Sequence, residues 1–185
     1  MARADIKTPE EVFSFWFEEL TRKEWFDKND ALDEAMRRHF AATHLSLARG
    51  ELDAWRTSPQ NRLAAIIMLD QIPRNIYRGT PLAFATDRLA LQEAKLAVEA
   101  DADTAVVPEQ RCFFYLPFEH AENLAEQDRS VQLFTLLGDA EYLDYAERHR
   151  AVIREFGRFP HRNALLGRES TAAELEYLSK PGAGF

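Results

Sequence analysis

Ser58-Pro59-Gln60-Asn61-Arg62-Leu63-Ala64-Ala65-Ile66-Ile67-Met68-Leu69-Asp70-Gln71-Ile72-Pro73 is the stretch on which the reading of this chain turns. Ser before Pro is a helix start, because the hydroxyl caps orphan amides and proline at the first helical position needs no donor of its own. The run Leu63 to Leu69 then leaves the helix no polar face, so neighbours must cover it all round. It is expected to be the central helix, ended by Pro73. Those seven apolar residues fall far short of the roughly 20 that cross a bilayer, and no membrane span is expected.

Working outward, helix signals recur on both sides and strand alternation never persists. Thr8-Pro9-Glu10-Glu11 is a capping box opening a helix to about Leu20. A second start lies near Asn29, and Leu32, Met36, Phe40, Thr43 and Leu47 form one stripe that stops at Gly50. Beyond the central helix, Tyr77-Arg78-Gly79-Thr80-Pro81 reads as a loop before a helix through Leu91 and Val98. Pro108 opens the next, whose apolar run Cys112-Phe113-Phe114-Tyr115-Leu116-Pro117-Phe118 should kink or break at Pro117. Val131, Phe134 and Leu137 mark a helix ended by Gly138. Tyr142, Ala146, His149, Ile153 and Phe156 mark another ended by Gly157, and Thr171-Ala172-Ala173-Glu174 caps a last one through Leu178. The tail 180–185 is expected to fray. The expected fold is all-α: one domain over residues 1–185, about eight helices, antiparallel hairpins stacked as a compact array or bundle.

Composition narrows the function. Lys and Arg total 23 against 31 Asp and Glu, a net charge of −8, which argues against nucleic acid as a partner. Thirteen Phe, five Tyr and three Trp supply a core that needs no disulfide or structural metal. The lone Cys112 lies beside Phe113 and Phe114 with no neighbouring base, so a buried, inert thiol is expected. Met1 to Ile6 lacks the apolar core of a secretory signal, with Asp5 where that core would begin, and a cytoplasmic location is expected.

The informative residues are polar ones set where the pattern calls for apolar ones. Asp70 continues the apolar spacing of the central helix at its carbonyl end, where burial and the helix dipole both disfavour a carboxylate, so an arginine partner such as Arg74 or Arg78 is expected. Tyr115, Glu119, His120 and Glu122 follow the Phe-rich run. Glu119 and Glu122 share a helical face, and His120 titrates near neutrality, so His120 and Glu122 are candidate acid/base groups. Paired Glu-x-x-His, His-Glu-x-x-His, a Gly-rich phosphate loop and a nucleophile elbow are all missing, so no metal and no cofactor is expected.

A basic series forms the third group. Arg150 and Arg154 lie four apart on one helix, while Arg158, His161, Arg162 and Arg168 sit in a Gly- and Pro-punctuated loop. Helix-terminal cations complement the dipole without further purpose. Several guanidiniums in one loop also suit capture of carboxylate or phosphate. His149 falls on the apolar stripe of its helix and reads as a hydrogen-bonded core histidine.

The same segments carry a family resemblance. Leu69-Asp70-Gln71-Ile72-Pro73-Arg74-Asn75-Ile76-Tyr77-Arg78-Gly79, Phe114-Tyr115-Leu116-Pro117-Phe118-Glu119-His120-Ala121-Glu122, and Phe156-Gly157-Arg158-Phe159-Pro160-His161-Arg162-Asn163 with Leu166-Gly167-Arg168 resemble the domain of unknown function 924 family of mainly bacterial proteins. The resemblance spans nearly the whole chain. It implies a right-handed, tetratricopeptide-repeat-like helical array. Members often carry Met where this chain has Glu119 and Ser where it has Ala121, which sets His120 and Glu122 ahead of Glu119 as functional groups. The family brings no established activity.

Three functions compete. The first is a binding module taking an anionic small molecule or acidic peptide end in a pocket of Arg74, Asn75, Arg78, Tyr115, His120, Glu122, Arg158, His161, Arg162, Asn163 and Arg168, with the Pro73 and Pro160 segments lining one cavity. The second is an enzyme in which His120 and Glu122 transfer protons while arginines hold a phosphate or carboxylate. The third makes these groups an internal ion-pair network. Arginines consumed by carboxylates favour the third reading.

Overall fold

The computed structural model describes residues 6–184. The readings placed on Met1 to Asp5 and on Phe185 lie outside the described residues. Those residues form α1 (Pro9–Ser14), α2 (Asp30–Ala48), α3 (Pro59–Ile76), α4 (Asp87–Glu99), α5 (Pro108–Glu119), α6 (Leu124–Leu137), α7 (Ala140–Phe156) and α8 (Ala172–Leu178), with no strand among them. The fold is all-α. It divides into two compact units, residues 1–117 and 118–185.

In the first unit α3 is the hub, packing against α1, α2 and α4. Every residue from Leu63 to Pro73 is buried, as an apolar circumference requires. Ser58 accepts from the Asn61 amide and caps α3, Asn29 caps α2, and Thr8 with Glu11 closes the capping box of α1. The helix expected to reach Leu20 changes character instead, running as a π-helical turn over Phe15–Glu19.

Pro73 does not end α3, which continues to Ile76. Proline in a helix leaves the carbonyl four residues back without its donor. Here that carbonyl is Leu69, and it accepts instead from the Thr86 hydroxyl at 2.6 Å. A tertiary hydrogen bond thus replaces the one proline removes. Pro117 is likewise carried inside α5, which extends two residues further to Glu119.

In the second unit α6 and α7 form an antiparallel hairpin. Phe134 near the end of α6 stacks on Tyr142 near the start of α7, at 5.7 Å between ring centroids, and Arg150 near the end of α7 meets Asp128 near the start of α6 at 3.3 Å. Gly138 and Gly157 close the two helices with left-handed φ of 79° and 71°, a conformation that costs a side-chain-bearing residue about 1–2 kcal/mol. A short 3-10 turn, Pro160–Arg162, follows α7. One apolar cluster of this unit is Val152, Ile153 and Phe159, with Phe156 and Tyr177 against it. No described helix is long and apolar enough to cross a membrane.

Candidate functional site

Arg74, Arg78, Arg150, Arg158 and Arg168 are met by carboxylates. In the first unit Asp70 is fully buried and lies 3.4 Å from Arg74. Arg74 also grips Asp87 with both terminal nitrogens, at 3.0 and 3.1 Å, and donates to the Asp70 carbonyl. The Gln71 amide donates to the other Asp70 oxygen at 2.6 Å. One turn on, Arg78 holds Asp33 through two nitrogens and Asn75 donates to the same carboxylate at 2.7 Å. Burial works against the Asp33 charge, but Arg78 and Asn75 outweigh it and hold its carboxyl below the usual range. Tyr115 belongs to this unit too, its hydroxyl donating to Asp103 at 2.6 Å.

A relay of neutral groups lies beside them. The Thr86 hydroxyl spends its only proton on Leu69, so at 3.1 Å it accepts from Nε2 of His44. His44 is therefore the Nε2–H tautomer, with Nδ1 turned to the Tyr77 hydroxyl at 3.4 Å. Burial pushes the His44 imidazole down to about 4.

The second unit gathers a different set. Arg158 is held by Glu174 at 2.6 and 2.8 Å and also donates to the Glu169 carbonyl; its two bonds and the Thr171 amide hold the Glu174 carboxyl down at about 2. Arg168 grips Glu122 bidentately at 2.7 and 2.9 Å, reaches the Phe159 carbonyl, and donates through Nε to Asn163 Oδ1. The Phe159 amide donates to Glu122 at 2.8 Å. Burial opposes the Glu122 charge, yet these bonds hold it below the ordinary carboxylate range. Held ionised, Glu122 accepts hydrogen bonds and has no proton to give at neutral pH.

Between these pairs lie three of the five histidines. The His120 and His149 rings are 6.3 Å apart, His149 packs edge-on against Phe159 at 5.6 Å, and His161 lies 5.6 Å from the same phenyl ring. The Arg162 guanidinium sits over the Phe159 ring, 4.5 Å from its centroid, with only 6% of the residue exposed. Nδ1 of His149 is 2.8 Å from the Tyr145 carbonyl and 3.2 Å from Glu119 Oε1. A carbonyl can only accept, so Nδ1 carries the proton and Nε2 the lone pair. Gly184 closes on His161 from the C-terminal turn: a Cβ there would come within 2.9 Å of the histidine Cβ, and its φ of +96° suits glycine alone.

Burial and nearby charge keep His149 and His161 neutral. Burial, with His120, Arg162 and His161 nearby, pushes His149 down to about 3. Burial and Arg162 push His161 to about 4, against the pull of Glu122. The cluster therefore sets a permanent cation on the Phe159 ring, with the neutral imidazoles of His149 and His161 packed against the same ring. Among the described residues no group of three or more His, Cys, Asp or Glu is arranged to hold a metal ion.

Of the residues read from sequence, His120, Glu122, Arg158, His161, Arg162, Asn163 and Arg168 fall in the second unit, and Arg74, Asn75, Arg78 and Tyr115 in the first. Two members of the cluster were set aside in the sequence. His149 is buried and hydrogen-bonded as its stripe position suggested, and Glu119 is 3% exposed, but each reaches the other. Only their three-dimensional meeting reveals them, since residues thirty positions apart share no local pattern.

Residues 12–182 match the profile of a family described as bacterial protein of unknown function, DUF924. A solved structure of a protein of unknown function from Agrobacterium tumefaciens is 43% identical, covers 92% of this chain and 96% of its own, and superposes with a TM-score of 0.88. A search of curated proteins finds no match.

Proposed function

The chain belongs to the DUF924 family of bacterial proteins of unknown function, and we propose that its second unit binds the carboxylate or phosphate group of a small molecule or peptide end at Arg162, His161 and His120. The observation that carries this reading is the gathering of His149, His161 and a buried guanidinium about the Phe159 ring, with His120 6.3 Å from His149. A guanidinium keeps its charge at any physiological pH and matches oxyanions with its planar fork. A partly desolvated position strengthens its attraction for an anion relative to water. His149 and His161, kept neutral by burial, add no repulsion to it. Arg74, Arg78, Arg158 and Arg168 are braces of the fold through their carboxylate partners.

Thermal denaturation with inorganic phosphate or propionate, at matched ionic strength, tests the reading. A ligand at about 100 times its Kd adds about 2.7 kcal/mol of stability, which for a chain of this size raises Tm by roughly 5–10 °C. Arg162→Ala should remove that rise while circular dichroism shows the helices intact. An equal rise in the variant takes Arg162 out of the site, and no rise with either anion in the wild type refutes the reading.

A further inference from the structure

Two neighbouring parts of the second unit are held with very different strength. Helix α8 is clamped: Glu174 takes both Arg158 bonds, the Thr171 capping box closes its first turn, and Tyr177 packs on Phe156 at 5.3 Å between ring centroids. The turn that follows is not. Among the described residues, 181–184 make one hydrogen bond, from the Ala183 amide to the Lys180 carbonyl at 3.2 Å, and that bond lies within the turn itself. Lys180, Pro181 and Gly182 are exposed, and the Lys180 ammonium turns back to Glu176 on α8 at 3.4 Å. Few contacts and an exposed backbone mark a segment that opens locally at small cost.

What this turn does touch is His161. A Cβ built on Gly184 would stand 2.9 Å from Cβ of that histidine, 3.3 Å from Cγ and 3.7 Å from Nδ1, so the Gly184 backbone lies against the imidazole. Ala183 and Gly184 are half-buried there, and His161 Nδ1 is withdrawn from solvent. Gly182 and Gly184 both hold left-handed φ, 77° and 96°, a conformation that other residues adopt only under strain. A solvated coil needs no such pair. A turn that must bend back onto one particular side chain does.

We propose that residues 180–184 are a strap over His161, hinged where α8 ends, that opens while the rest of the second unit stays folded and so controls access to the anion site. The gating half rests on the anion-binding reading above. A ligand that needs His161 binds only the open form, so its apparent affinity is the intrinsic one reduced by the open fraction. Burial is the first cause of the low His161 pKa, with Arg162, His120 and Arg168 adding to it and Glu122 pulling the other way. The strap supplies part of that burial, and its one charged side chain, Lys180, is paired with Glu176.

Gly184→Ala and Gly182→Ala test this in the full chain. The first adds a Cβ against His161 and the second meets nothing within 4 Å. Both strain the closed turn and should favour the open one about 5–30-fold. Imidazole resonances through a pH titration should show the His161 pKa rising from about 4 towards 6.5 in both variants, with His149 unmoved and circular dichroism unchanged. With the strap mostly closed in the wild type, both variants should bind inorganic phosphate about 5–30-fold more tightly. A His161 titration the same in all three proteins shows that no strap covers it. A His149 that moves with His161 shows the whole unit loosening, which also overturns the proposal. If His161 is uncovered and phosphate binds the variants no better than the wild type, the gate is overturned while the anion site stands. Phosphate binding to none of the three refutes the anion reading and the gate with it.

Discussion

Asp70 shows how a single residue can be read correctly for its chemistry. A carboxylate on an all-apolar helix had to be paired, and it is, with Arg74 and with the Gln71 amide. Removing one partner of a buried pair costs about 3–5 kcal/mol when the other charge is orphaned. Arg74 retains its two bonds to Asp87, so Asp70→Ala should cost about 3 kcal/mol, the lower end. Equilibrium urea unfolding measures this, and a loss below half a kcal/mol would show that Asp70 contributes nothing to the core. The site was less legible at this scale. His120, His161 and Arg162 stand out as polar residues beside Pro and Phe, whereas Glu119 and His149 are hidden because each has its partner on another helix.

Local signals served the elements well wherever the physics is local. The caps at Thr8, Asn29, Ser58 and Thr171 and the left-handed glycines at 138 and 157 all act within one turn of chain, and all stand as read. Pro73 was misread for the opposite reason. Its effect on α3 is offset by Thr86, thirteen residues away and beyond any local pattern. Thr86 is also the acceptor for His44, so Thr86→Val leaves a carbonyl and an imidazole N–H unsatisfied. The expected loss is about 2–6 kcal/mol, one buried group's penalty for each. Hydrogen exchange should speed up at the end of α3, at Tyr77 above all, and unchanged protection there would mean that the helix passes Pro73 without help.

For the whole molecule, the histidines govern behaviour in acid. His44, His149 and His161 are held near 4, 3 and 4 in the folded chain against 6.5 when unfolded. Below pH 6.5 the unfolded chain therefore binds protons that the folded chain refuses, and the stability of the fold falls as pH drops. Each histidine contributes a slope of up to about 1.4 kcal/mol per pH unit between the two values. Asp33, Glu122 and Glu174, all held below their ordinary values, work in the same direction and extend the loss to lower pH. Urea midpoints should fall steadily from pH 6.5 to pH 4, and a midpoint independent of pH over that range would show that the imidazoles are not kept neutral.

The same neutrality supplies the most direct measurement of the binding site. An anion seated between Arg162 and His161 must offset the positive field that, with burial, holds this imidazole down. Imidazole proton resonances followed through a pH titration report the His161 pKa with and without inorganic phosphate. The expected value is about 4 for the protein alone, with a clear upward shift on adding phosphate that is absent in Arg162→Ala. A His161 titration that phosphate leaves unmoved would contradict it.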